Sequence, residues 1–537
     1  MKRARLTQHS LALALALALA FAAIAAPWLN PFSSGPTPAV LPLLFSWICI
    51  LAVLGGGRGM VAAALAVAGG AWLVAALISA GMGLLQYFGA SDAFFPWISS
   101  TAPGEAYANL RQRNQFATLT NIGLAALLWW AARLDVPHDV RLRASIALQP
   151  ADSARPLDHP QFPVPVRLAC LSAAALLAAG NAASSSRTGL VQLLLLLALA
   201  GLWAQWRKPA VRPLLWAAAL AYTLASASLP WLAGLDGSSS GILARLNDGG
   251  PACASRLTLW GNVLHLIAQK PWLGWGWGEL DYAHFTTLYA GPRFCEILDN
   301  AHNLPLHLAV ELGVPAALLV CGGAAWRVWR AKPWCERDAT RQMAWSVLAL
   351  IVLHSLLEYP LWYGPFQMAV LLCVGLLWRQ PGGGVLPART ASNEFWGLNM
   401  AFSHVLYRLF AIFIIVLLTF AAWDYHRTSQ IYLLPEDRAP AYRSNTLTKI
   451  QASVLYQNQA RFALLTISPL TPDNAAHVNL LAHDLLHFSP EARVVEKLID
   501  SALLLGRAEE ARFYSARYRA AYPAEYDVWA LRNGVAR

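Results

Sequence analysis

Charge is what this 537-residue sequence has least of: Asp, Glu, Lys and Arg together make up 13%, where a soluble domain carries roughly 25%. The little there is leans basic, with 29 acidic against 40 basic residues and a net +11 when histidine is neutral. These basic residues form no stripe and no recognisable binding motif, which argues against a nucleic-acid partner. They fall in short clusters between apolar runs, the pattern of cytoplasmic membrane loops. Cysteine is scarce too, with seven residues and no zinc-ligand spacing. No internal repeat is visible, and the ionisable residues do not line a path through several apolar runs. Both absences argue against a polytopic transporter or flippase.

What the chain does have is 57% hydrophobic residues, in runs suited to bilayer-crossing helices of roughly 20 residues each. Spans are expected near 10–28, 37–55, 60–85, 115–132, 166–183, 188–206, 212–233, 304–326, 343–358, 363–379 and 406–423, about eleven in all. The fold class is therefore all-α, a polytopic membrane domain over 1–425. With the N-terminus inside, the cytoplasmic segments hold Lys2, Arg3, Arg5, Arg58, Arg133, Arg141, Arg143, Arg155, Arg207, Lys208, Arg212, Arg327, Arg330, Lys332, Arg337, Arg341, Arg379 and Arg389. The alternate loops are short and nearly uncharged, or long and mixed in sign, so the positive-inside rule sets the orientation. The start, Met1-Lys2-Arg3-Ala4-Arg5 with an Ala/Leu run to Ala26, also fits a secretory signal peptide. A retained first span is the preferred reading, and cleavage would leave the remaining topology unchanged.

It follows that residues 184–189, the 234–303 loop, residues 358–365 and the tail after Trp423 lie outside the cytoplasm, which in a bacterium is the periplasmic face. Cys49, Cys170, Cys321 and Cys373 fall in spans and Cys335 in a cytoplasmic loop, leaving Cys253 and Cys295 in the large outer loop. In an oxidising compartment they are candidates for a disulfide, the alternative being two free thiols. From 435 to 537 the chain is polar, a C-terminal periplasmic helical domain. Residues 502–523 read as an amphipathic helix pair of tetratricopeptide type. One such pair cannot bury its own face, so it is expected to pack on helices from 440–490, as a structural cap or as a docking platform for a protein.

Four outer-face features carry the chemistry. Ser184-Ser185-Ser186-Arg187-Thr188-Gly189 restarts a span with hydroxyls able to cap it, open N–H groups and an Arg. That is an anion site or a capped helix whose Arg snorkels. Arg256 opens an amphipathic segment leading to Lys270-Pro271-Trp272-Leu273-Gly274-Trp275-Gly276-Trp277-Gly278, a tight interfacial turn, a sugar-stacking surface or an aromatic belt. His302 is expected in the first turn of the next span, capped by Asp299 or Asn300, where an imidazole can take a proton near neutral pH. Last, His354 and Glu358 stand four apart on one helical face, and ionisable groups in a membrane tend to be functional. His307 and Glu311 repeat that spacing, read as a buried structural hydrogen bond. Arginines beside a histidine at a lipid surface suit a lipid-linked diphosphate, since Arg binds phosphate oxygens bidentately and stays charged. With no paired acids in the outer loops, a metal-independent reaction is the simpler reading.

At these residues the chain resembles the O-antigen ligase and Wzy polymerase superfamily, and most of all its PglL/PilO-type protein O-oligosaccharyltransferases. The resemblance covers roughly 95–425. Ser186-Arg187-Thr188-Gly189, the Arg256 segment running into Pro271–Gly276, and His302-Asn303 leading to Glu311-Leu312-Gly313 are superfamily features. Arg113-Asn114-Gln115-Phe116-Ala117-Thr118 and the Leu-Glu-Tyr-Pro-Leu-Trp-Tyr core at 357–363 point to the protein-glycosylating branch. The metal-dependent oligosaccharyltransferases would show a Trp-Trp-Asp signature, which is absent. The resemblance implies transfer of a preassembled glycan from undecaprenyl pyrophosphate to a Ser or Thr hydroxyl of an exported protein such as a pilin, at the bacterial inner membrane, with no cofactor beyond that donor. It makes His302 the essential residue and gives the pyrophosphate to Arg187 and Arg256. Arg293 joins them on charge alone. Asn114, Asn303, Glu358 and Tyr359 line the site. A lipid A core acceptor (an O-antigen ligase) or a growing glycan (a polymerase) are the alternatives.

Overall fold

The computed structural model describes residues 2–30, 37, 39–134, 163–236, 240–247, 251–378 and 394–534. Arg141, Arg143, Arg155, Arg379 and Arg389 lie outside the described residues. Among the described residues every regular element is helical. First come α1 (Lys2–Leu29), α2 (Val40–Gly55), α3 (Gly57–Tyr87), α4 (Arg113–Leu134), α5 (Val164–Ala183), α6 (Arg187–Leu202) and α7 (Arg212–Leu232). The short helices α8 (Gly241–Asn247), α9 (Arg256–Gln269) and α10 (Leu280–Thr286) lie in the loop that follows. Then come α11 (Leu304–Leu312), α12 (Val314–Ala317), α13 (Gly323–Ala331), α14 (Ala339–Ser355), α15 (Gly364–Trp378) and α16 (Glu394–Ser429). After these stand α17 (Thr446–Ile450), α18 (Gln457–Ile467), α19 (Ala475–Leu486), α20 (Ala492–Leu504), α21 (Ala508–Ala521) and α22 (Pro523–Arg532).

Among the described residues five segments are long and apolar enough to cross a membrane: Ser10–Leu29, Gly57–Tyr87, Val164–Ala183, Arg212–Leu232 and Tyr407–Tyr432. The protein is an all-helical membrane protein, but fewer helices reach spanning length than the sequence suggested. At 1.5 Å per residue, the 16 residues of α2 and of α6 extend about 24 Å, short of the roughly 30 Å hydrocarbon core. The span expected near 304–326 is broken at Gly313, where α11 ends. The span expected to 358 ends at Ser355, so Glu358 lies beyond the helix.

Small residues bring the bundle together. Ala68, Ala71, Ala75, Ala76 and Ala80 are buried along α3 with Trp72, and a Cβ on Gly123 of α4 would stand 2.4 Å from the Ala76 Cβ. Such stripes let helix backbones approach where lipid offers no hydrophobic drive for association. Around them α1, α4 and α5 pack on α3, α7 packs on α5, and α14 packs on α4 and α15.

Among the described residues three further cores stand beside this one, the smallest holding Ile450, Ala460 and Ala463. Leu259, Val263, Leu266, Leu280, Ala283, Phe294, Leu298, Ala301 and Val310 make the core of the 256–310 region. The helices α18–α22 enclose Leu481, Leu485, Val495, Leu498, Tyr518 and Trp529. The helix pair expected at 502–523 thus packs on its predecessors, as its amphipathic pattern required. Helix α10 serves two of them. Its Leu280 and Ala283 face the loop core, while Phe285 enters the C-terminal one. Arg517 Nε donates to Thr286 O at 2.7 Å, and His487 stacks on Tyr282 with centroids 3.8 Å apart.

The Gly/Trp segment explains the break at Gly313. Trp275 N–H donates to Val310 O at 2.9 Å, Gly276 N–H to Glu311 O at 3.0 Å, and Val314 N–H to Pro271 O at 2.8 Å. Backbone runs against backbone here, and only glycine fits. Gly313 has φ +89°, and a Cβ on it would lie 2.1 Å from Trp272 O.

Candidate active site

Three helix starts converge on one carboxylate. Ser186 caps α6 by accepting from Gly189 N–H, Ser255 caps α9 by accepting from Thr258 N–H, and Asn303 caps α11 by accepting from Leu306 N–H. These caps leave Arg187 and Arg256 at the first position of their helices and His302 just before its own. His302 is therefore not in the first turn, and neither Asp299 nor Asn300 is the cap. Instead the Asn300 side chain accepts from His302 N–H at 2.9 Å, a local turn that holds His302 at φ +49°, a region in which histidine is enriched.

Glu358 is the meeting point. Its Oε2 lies 2.6 Å from His302 Nδ1, and its Oε1 lies 2.5 Å from Arg256 Nη2. Asn114 Nδ2 donates to Oε1 at 3.1 Å and Gln112 Nε2 to Oε2 at 3.4 Å. Ser186 Oγ in turn donates to Asn114 Oδ1 at 2.6 Å, which brings the start of α6 to the cluster. The Glu358 side chain is 8% exposed, His302 20% and Arg256 39%. Burial would push the Glu358 carboxyl up, but the His302 hydrogen bond and the charges of His302 and Arg256 outweigh it and hold the carboxyl below its ordinary range. In the neutral form of the ring, with the carboxylate accepting at Nδ1, the imidazole hydrogen sits on Nδ1 and Nε2 presents a lone pair. No partner occupies Nε2 among the described residues.

Each expected site residue has a definite place. Tyr359 sets its ring edge-to-face with His302, centroids 5.0 Å apart, and stacks on Tyr363. Asn303 Nδ2 donates to Leu356 O at 3.1 Å, tying the histidine turn to the 356–363 loop. Arg187 is exposed and has no ion pair among the described residues. Arg256, expected on the pyrophosphate, is engaged by Glu358. Arg293 stands elsewhere. Its Nη1 donates to Thr287 O at 2.9 Å, its guanidinium lies 5.6 Å over the Tyr289 ring, and it borders a small cavity with Asp281, His284, Pro490 and Tyr522. Burial pushes Asp281 up to about 7, with Asp299 and Glu279 adding to it. Cys253 and Cys295 form a disulfide, Cα–Cα 5.4 Å.

His354 and Glu358, expected on one helical face, make no side-chain hydrogen bond to each other among the described residues. With α14 ending at Ser355, Glu358 turns to His302, while His354 Nδ1 lies 2.9 Å from Thr118 Oγ1 and Thr118 lies 3.0 Å from Gln192 Oε1. His307 and Glu311 are both buried with Nε2 and Oε2 3.4 Å apart, but the expected hydrogen bond does not form, and Glu311 Oε2 has no hydrogen-bond partner among the described residues. Gln112 and Thr118 carry roles that went unassigned in the sequence, as does the Ser186 hydrogen bond to Asn114, while Ser186 is the helix cap that was expected. Their only local signal is polarity at the start of an apolar helix. Among the described residues no three His, Cys, Asp or Glu side chains group as metal ligands.

Comparison with known proteins gives three colinear matches. Residues 106–131 match a protein glycosylation ligase family, 172–321 the O-antigen ligase family, and 342–533 the C-terminal part of a virulence factor membrane-bound polymerase family. A general O-oligosaccharyltransferase of Acinetobacter baylyi is 29% identical over 126 residues, 23% of this chain and 22% of that protein. A ComP-specific O-oligosaccharyltransferase of the same organism is 27% identical over 127 residues, 24% of this chain and 23% of its own length. The alignments thus span less than a quarter of either relative. The chain resembles the O-antigen ligase and Wzy polymerase superfamily, and within it the PglL-type protein glycosylation ligases, along three stretches between residues 106 and 533.

Proposed function

We propose that this protein transfers a preassembled oligosaccharide from undecaprenyl pyrophosphate to a Ser or Thr hydroxyl of an exported protein such as a pilin. The reaction takes place on the periplasmic face of the bacterial inner membrane. The carrying observation is the convergence of His302, Arg256 and Asn114 on Glu358, from three chain segments that the positive-inside reading assigns to that face. In this reading the membrane domain makes about eleven crossings, short helices included. The N-terminus is cytoplasmic, and the C-terminal helices stand in the periplasm above the 234–303 loop.

The chemistry follows from the geometry. Glu358 holds the His302 ring by its Nδ1–H, so Nε2 receives the proton of the acceptor hydroxyl. The hydroxyl oxygen forms a bond to the anomeric carbon as the bond from that carbon to the pyrophosphate oxygen breaks. The electron pair leaves on undecaprenyl pyrophosphate, whose charge Arg187 is placed to hold at the start of α6. Arg256 keeps Glu358 ionised and stands at the edge of the same space. No step in this scheme needs a metal ion. The match of residues 342–533 to a polymerase family supports a second reading, with the same donor chemistry and a growing glycan as acceptor.

The test is expression of wild type and His302→Ala in a strain with a confirmed lipid-linked glycan and a pilin, read by intact pilin mass. A glycan mass shift that the variant loses at equal membrane level supports the proposal. A shift retained in the variant removes His302 from the chemistry. Unmodified pilin with the wild type, together with a lengthening ladder of lipid-linked glycan, would move the assignment to a polymerase.

A further inference from the structure

Two tryptophans of the 271–278 segment have different surroundings. Trp275 is used inside the fold, its indole N–H donating to Leu266 O at 3.0 Å and the Lys270 ammonium 4.0 Å over its ring. Trp277 is held out between Gly276 at φ +117° and Gly278 at φ +79°, and is 62% exposed. Backbone of this kind is comfortable only for glycine. The Trp277 ring lies parallel to Trp362, centroids 6.0 Å apart and planes 6° apart, with His307 edge-on to both. Neither indole N–H has a partner among the described residues.

Trp362 sits in the 356–363 loop with Glu358 and Tyr359. From His302 the ring contacts run to Tyr359 and on to Tyr363, which precedes the turn into α15 and follows Trp362 directly in the chain, and Trp362 stacks on Trp277. A pyranose lays its C–H face on an aromatic ring and offers hydroxyls to indole N–H donors, so the exposed Trp277 ring beside the half-buried Trp362, both with open donors, suits a chain of sugars. Trp272 and Leu273, 76% and 86% exposed, make no ring contact and match a lipid-interface anchor instead.

We propose that Trp277 and Trp362 form a subsite for the distal sugars of the donor oligosaccharide, so that this pair sets a preference for glycan length. The assignment rests on the glycan-transfer reading above. Its test uses the full-length protein in lipid nanodiscs with two donors on the same undecaprenyl pyrophosphate carrier, one bearing an oligosaccharide and one a single sugar. Trp277→Ala should raise the KM for the oligosaccharide donor about tenfold, with kcat and the single-sugar donor unchanged. Trp277→Tyr should restore the KM and Trp277→Leu should not, with melting temperature confirming that each variant is folded. An unchanged KM, an equal loss with both donors, or rescue by Leu would overturn the subsite and leave Trp277 a membrane anchor. A wild type that transfers from neither donor would instead sink the transfer reading, and this subsite with it.

Discussion

Replacing Glu358 with Gln keeps the shape of the side chain and removes the charge that organises the cluster. The Glu358 carboxylate accepts from four donors, on His302, Arg256, Asn114 and Gln112. A carboxamide can accept on one side only, and its NH2 must face either the His302 Nδ1–H or the Arg256 guanidinium, a donor against a donor. His302 survives but loses the partner that fixes its tautomer and aim. A positioned base contributes about 10²–10⁴-fold. Misplacing it without deleting it should cost the lower end, about 10²-fold in kcat or about 2.7 kcal/mol of barrier. The assay is the rate of pilin glycosylation in membranes at saturating donor, with enzyme levels matched. Glu358→Gln combined with His302→Ala should be no slower than His302→Ala alone, because one group acts through the other. A single variant within about threefold of wild type, or losses that multiply in full in the pair, would refute the coupling.

Other expectations follow from the same structure. Gly313→Ala places a Cβ 2.1 Å from Trp272 O at φ +89°, a backbone collision expected to cost more than about 3 kcal/mol, seen as lost membrane protein or new proteolysis near 272–313. Cys253→Ser opens a bridge between residues 42 apart. In the chain-entropy account that releases about 4 kcal/mol of constraint, so limited proteolysis should cut the 253–295 loop faster than in the wild type. Asp281 titrates near 7 in the folded protein and near 4 when unfolded. The folded state therefore binds more protons in between, and stability falls as pH rises from about 4 to about 7. Asp281→Asn should melt like wild type below pH ~4 and higher than wild type above pH ~7, and equal melting at both ends would reject the burial argument.

The helices and their order could be read from the sequence because lipid burial and capping are local. Whereas the break at Gly313 depends on the Trp-rich segment well before it in the chain, apolar runs and Ser before a restarting helix each act within a few residues. The partition of cysteines by apolar run left Cys253 and Cys295 together for the same reason. The helix ends were harder to place, and the shift from 358 to Ser355 mattered, because it turned Glu358 away from His354. The Glu358 cluster had no local signature. Arg256, His302 and Asn114 reach Glu358 across sequence separations of 102, 56 and 244 residues. A spacing of four put it on one helical face with His354, but gave no sign of His302. Arg293 shows the converse, close to His302 in the chain yet turned toward Tyr289 and Tyr522. Composition and short-range spacing determine which segments are helical and which residue types gather at one end of the bundle. Which carboxylate meets which cation depends on how the helices pack, since charge pairing follows distance in space and the chain records only distance along itself.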